Sequence, residues 1–205
     1  MAEAKAGAIP KSRIESLSDL IFGLALSIGA LTLIERSPSN FQQLLLNLAF
    51  YAFSFLILIR VWHSYTSTMS DIHFETPTAL YFNIILLFLV SIEPYLFNEL
   101  VTTSLSPQNV SLIYALDLGG LFLILGLFDS AVSADTKQPE NLRRHYRILR
   151  NTLLIGAAVF FISALPFFWT LAIPLNSSHA LNLRFVFWIF ALILSLIRRT
   201  YERVV

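Results

Sequence analysis

Apolar positions in this chain gather into six long runs instead of alternating with polar ones. The runs fall at Leu17–Ile34, Phe41–His63, Ala79–Leu100, Val110–Ala131, Leu149–Ile173 and Leu181–Ile197. Each is close to the ~20 residues that a helix needs to cross a hydrocarbon core. The pattern predicts an all-α integral membrane protein, six transmembrane helices in one domain over residues 1–205. Polar breaks separate the runs: a short turn at Glu35–Asn40, then Thr66–Pro77, Thr102–Asn109 and Ser133–Arg147, and a second short turn at Pro174–His179. The first run carries Asp19 and no small-residue cleavage site follows it, so it reads as a span and not as a removable signal.

Composition agrees. Hydrophobic residues make up 56% of the 205 and charged residues 13%, about half the roughly 25% of a soluble chain. Mean hydropathy is +0.70. A net charge of +1 argues against nucleic acid as a partner, which calls for a concentrated basic surface. The chain has no cysteine, which excludes a disulfide scaffold, a thiolate metal site and a Cys nucleophile. With the amino terminus taken as cytoplasmic, all of the 14 Lys and Arg except Arg36 and Arg184 fall on that side. By the positive-inside rule both termini and the Ser133–Arg147 segment face the cytoplasm.

Enzyme motifs are missing: no phosphate-binding loop, no dinucleotide-binding glycines, no HExxH and no G-x-S-x-G. The four histidines (His63, His73, His145, His179) lie in four different segments. No cofactor is expected. The informative residues are polar groups inside the apolar runs, which are costly there and mark a pathway or a buried network. Asp19 in the first run, Trp62-His63 at the end of the second and Asn83 early in the third come to similar depth if consecutive helices are antiparallel. They could form a hydrogen-bonded staple between helices or a proton relay. Glu93-Pro94 and Asp117 lie in the outer half of the bilayer, as vestibule groups, partners for Arg184 or uncharged buried acids. Asp129 sits near the cytoplasmic end of the fourth run, where it is expected to be solvated.

The first run has one further property. At about 100° per residue, Leu17, Leu20, Ile28 and Leu31 fall within about 40° of Leu24, with Ser27 at the edge and Glu35 at the outer end. Asp19 lies about 140° away. Gly23 and Ser27, four apart, permit close approach of another helix. Periodicity alone cannot separate a pore lining from a lipid-facing or packing stripe. Arg13 falls on the same face and reads most simply as an interfacial anchor.

Arg13-Ile-Glu-Ser-Leu17-Ser18-Asp19 resembles the Arg-x-x-x-Phe-Ser-Asp signature that opens the first helix of the transmembrane protein 175 family, the lysosomal potassium channels and their six-helix prokaryotic relatives. Ser54-Phe55-Leu56 and Val61-Trp62-His63 resemble that family's second helix, and the stretch from Asn83 to Glu93-Pro94 its third. One position departs, since Leu17 stands where the signature has Phe. The resemblance implies a homotetramer whose first helix lines a central pore, with no carbonyl-lined filter loop. It also implies constricting rings at Leu24, Ile28 and Leu31, a selectivity hydroxyl at Ser27, and a polar network joining Ser18 and Asp19 to Trp62, His63 and Asn83. Four Glu35 carboxylates would then ring the outer mouth and concentrate cations.

The expected function is a potassium-preferring cation channel with a hydrophobic constriction, in a prokaryotic cell membrane. Its partners are membrane lipid, its own copies and monovalent cations. A proton leak through the same pore is the alternative within transport. A small-solute carrier is another, although paired repeats and broken midspan helices are not evident. A membrane scaffold without transport is the third.

Overall fold

Long apolar segments that satisfy their own backbone become helices, because a bilayer offers no water to the peptide groups. The computed structural model describes residues 10–34, 38, 40–71, 77–102, 106–176 and 179–202; Glu35 lies outside them. Its helices are α1 (Lys11–Ile34), α2 (Phe41–Asp71), α3 (Pro77–Thr102), α4 (Pro107–Ala134) and α5 (Glu140–Ser163), then a single turn α6 (Phe167–Thr170) and a final helix α7 (Leu183–Glu202). Between α6 and α7 lies an antiparallel hairpin of β1 (Ala172–Asn176) and β2 (His179–Asn182).

Several boundaries depart from the sequence reading. Helix α2 continues eight residues beyond His63, through the segment expected to be a polar break. Most of Ser133–Arg147 is helical, as the end of α4 and the beginning of α5. The expected span Leu149–Ile173 instead starts at Glu140 and stops at Ser163. Pro166 explains the stop, since it lacks an N–H and its ring clashes with the carbonyl four residues back. The turn expected at Pro174–His179 is the hairpin. Among the described residues five helices, α1 to α5, are long and apolar enough to cross a membrane, and the apolar part of α7 is the shorter Leu183–Ile193. Five candidate spans among the described residues thus stand where the sequence pattern predicts six. Pro94 does not break α3, which runs through it.

Helix α4 is the centre of the bundle. It packs most extensively against α5, then against α3, with α2 also in contact; α1 packs on α3 and α2, and α7 on α5. Glycine makes the α4–α5 crossing close: a Cβ at Gly119 would lie 2.6 Å from the Phe161 ring, a distance no real packing tolerates. The core they enclose includes Phe22, Ile57, Val61, Leu86, Val90, Tyr114, Leu121, Phe160 and Trp188.

Arg184 holds the end of α5 in place. Its Nε donates to the Ser163 carbonyl at 2.8 Å, and Nη2 to the carbonyls of Ala164 at 3.0 Å and Leu165 at 3.3 Å. Its Nη1 donates to the Gln108 carbonyl and to Ser111 Oγ. The Ser163 and Ala164 carbonyls are of the kind that the end of a helix leaves without intrahelical donors. Arg184 was one candidate partner for Glu93 or Asp117; in the structure all five of its donor hydrogens have these other acceptors.

Candidate functional site

Helix α1 has two faces. Ile14, Ser18, Phe22, Ala25, Gly29 and Thr32, spaced three or four apart, are buried against α2 and α3. The other face carries Leu17, Leu20, Leu24, Ile28 and Leu31, between 48 and 59% exposed. Ser27 and Arg13 are exposed beside them. The Ser27 hydroxyl donates to the Gly23 carbonyl at 2.8 Å, so its remaining lone pairs point outward as acceptors. A Cβ added at Gly23 would meet nothing within 4 Å. Next to it an open groove of about 250 Å³ is lined by Asp19, Phe22, Gly23, Leu26, Ile59 and Trp62.

The buried face is fixed by polar groups. Ser18 is fully buried; its Oγ donates to the Ile14 carbonyl at 2.8 Å and lies 2.6 Å from the Tyr65 hydroxyl. Asn83 of α3, also buried, sits against that same hydroxyl. Asp19 is exposed at the edge of α1, and its Oδ1 accepts from Trp62 Nε1 at 3.1 Å. His63 is half-buried on the neighbouring face of α2. The predicted group of Asp19, Trp62, His63 and Asn83 thus resolves into an Asp19–Trp62 bond and a Ser18–Tyr65–Asn83 cluster. Sequence reasoning missed Tyr65, although it stands three residues after Trp62 and so on nearly the same helix face.

Two further polar clusters lie deeper. Glu93 Oε1 accepts from Ser54 Oγ and from the Tyr114 hydroxyl, both at 2.7 Å, which ties α2, α3 and α4 together. Asp117 is 4% exposed, one turn along α4 from Tyr114. Asp129, expected to be solvated, is instead fully buried and accepts from Thr68 Oγ1 at 2.7 Å. The cause is the longer α2, whose last turns cover it. Among the described residues no group of three or more His, Asp or Glu side chains converges as a metal site requires.

Fold and site together define a multi-pass helical membrane protein whose first helix is anchored on one side by polar bonds and bare on the other. Residues 13–94, from the start of α1 to Pro94 in α3, match the family model described as the endosomal/lysosomal potassium channel TMEM175. That family is one of ion channels, and the match spans less than half of this chain. Its fold is similar to that in the crystal structure of a lysosomal potassium-selective channel TMEM175 homolog from Chamaesiphon minutus. The TM-score is 0.61 at 17% identity, over 92% of this chain and 97% of that one. A search of curated proteins found no match.

Proposed function

We propose that four copies of this chain surround a pore lined by α1 and conduct monovalent cations with a preference for potassium. The family match and the fold support a cation channel. The observation that carries the finer reading is the bare stripe of Leu17, Leu20, Leu24, Ile28 and Leu31 on a helix whose opposite face is bonded in place. Four Leu24 side chains meeting at an axis form a neck without oxygen ligands. An ion crossing it sheds part of its water unaided, and the neck closes by dewetting. Potassium holds its water less tightly than sodium, so such a neck favours it. Ile28 and Leu31 supply the next rings. Ser27, whose oxygen already presents lone pairs outward, offers a weak ligand beside them. Glu35 concentrates cations at the outer mouth. Both termini lie in the cytoplasm of a prokaryotic cell, where Arg13 is an interfacial anchor.

The open groove at Gly23 supports the assembly, because a small residue lets a neighbouring helix approach. The Asp19–Trp62 and Ser18–Tyr65–Asn83 bonds act as staples that set how far Leu24 protrudes.

The absence of native cysteine gives a clean test. In liposomes carrying Leu24→Cys, a cationic thiol reagent should block potassium flux, and Leu24→Ala should raise flux several-fold. Flux that the reagent leaves unchanged would put the constriction elsewhere.

A further inference from the structure

On one side of the bundle, the starts of α2, α4 and α7 and the end of α3 enclose a pocket of about 200 Å³. It is lined by residues from Leu46 to Phe53 of α2, by Phe97 and Leu100 of α3, by Tyr114 of α4 and by Phe185, Trp188 and Ile189 of α7. These stand two to twelve residues from the helix ends. At ~1.5 Å per residue that is roughly 3–18 Å, about the depth of one half of a hydrocarbon core ~30 Å thick.

The floor is aromatic: Phe97, Tyr114 and Trp188 are all buried. The Trp188 ring lies 5.3 Å from that of Tyr114 and stacks on Phe53 at 6.4 Å, which bridges α2 and α7. Two lining side chains carry a polar atom, and both are bonded away from the pocket. The Tyr114 hydroxyl donates to Glu93 at 2.7 Å, and Trp188 Nε1 donates to Ser163 Oγ at 2.8 Å. The rim is apolar and open, with Leu46 55%, Ile189 45% and Phe50 38% exposed.

Protein interiors pack with few gaps larger than a water molecule, so a void of this size calls for an occupant. Water does not suit it, because a buried water takes two to four polar partners and the lining side chains offer none. An engineered apolar cavity of about 150 Å³ stays dry and takes up a benzene-sized molecule.

We propose that this pocket is a lipid site, which takes the acyl chain of a phospholipid from the leaflet on that side. Acyl chains are the apolar groups that surround the protein at that depth. The rim also continues into exposed apolar surface, since Ile193 follows Ile189 by one turn of α7 and is likewise exposed. A neighbouring helix ~10 Å across brings only single side chains to such a mouth, whereas an acyl chain is thin, unbranched and flexible enough to reach the floor. The headgroup stays at the interface and needs no partner from the pocket. The bound chain packs α2 against α7, and the site requires neither a pore nor a tetramer.

The test uses the full-length protein in phosphatidylcholine nanodiscs doped with a phospholipid that carries a photoactivatable diazirine at the end of one acyl chain. Labelled residues are mapped by mass spectrometry. The wild type should be labelled on the floor, at Phe97, Tyr114 or Trp188, and on the exposed Ile155 and Ile162 of α5. Ala49 lines the pocket and is exposed, so Ala49→Trp fills it from the rim without entering the core. Floor labelling should then fall several-fold while that of Ile155 and Ile162 holds. No floor labelling in the wild type overturns the proposal, as does floor labelling that Ala49→Trp leaves unchanged. So does floor labelling by a free diazirine probe of benzene size that unlabelled phospholipid fails to compete away, which makes the pocket a site for small apolar molecules. A benzophenone side chain placed at Ile189 reports what covers the mouth: adducts with lipid support the proposal, and adducts with a second copy overturn it in favour of a subunit interface. Should Ala49→Trp fail to fold, wild-type labelling and its competition decide alone. None of these readouts measures flux, so they stand or fall separately from the channel reading.

Discussion

Helices α1 and α4 are both apolar enough to cross a bilayer, yet 67% of the most apolar window of α4 is buried inside the protein against 28% of that of α1. Helix α4 is surrounded by α2, α3 and α5, with glycines where α5 crosses and acids that face inward. Helix α1 gives its neighbours one face, and the aliphatic residues of the other face stay about half exposed. Hydropathy reports the solvent that a helix can enter. It does not say whether apolar side chains will meet protein, lipid or an aqueous pathway, because hydrocarbon tails and leucine are equally apolar.

If that contrast is right, substitutions should divide into those that loosen the chain and those that alter what passes along it. The largest loss of stability is expected for Arg184→Met, which leaves the carbonyls after α5 without their donor, at about 3 kcal/mol. Thermal unfolding in detergent would show it, and an unchanged midpoint would mean that α7 does not hold α5. Gly119→Ala should come next at about 1–3 kcal/mol, since Phe161 must shift to admit the methyl. A null effect there would show that the α4–α5 crossing is looser than the structure has it. Trp62→Phe removes the bond to Asp19 and keeps most of the ring, so about 0.6 kcal/mol is expected, with a change in conductance if the staple sets how far Leu24 protrudes. Leu24→Ala should alter the stability of the chain least, within about 0.5 kcal/mol, while changing flux most. A Leu24→Ala protein that unfolds easily and conducts as before would reverse the comparison.

Much of this was legible without coordinates. The runs of apolar residues gave the class of protein, and the spacing of Leu17, Leu24, Ile28 and Leu31 isolated the bare face of α1. The order of Arg13, Ser18, Asp19, Trp62, Asn83 and Pro94 pointed to the family whose model matches residues 13–94. Helix ends were less legible. Polar Thr66, Ser67 and Ser70 read as a break, yet they continue α2, where their hydroxyls donate back to carbonyls three residues earlier or face outward from the helix. Asp129 was misplaced for the same reason.

Sequence by itself determined what is set residue by residue along the chain: membrane burial, helical phase, and which side of α1 is aliphatic. Only the tertiary structure decided that Ser18 meets Tyr65, that Glu93 takes the hydroxyls of Ser54 and Tyr114, and that Arg184 closes α5 instead of neutralising an acid. Those pairings depend on the rotation and offset of whole helices against one another. Those two quantities are fixed by packing between segments 20 to 80 residues apart in the chain, and no local pattern encodes them.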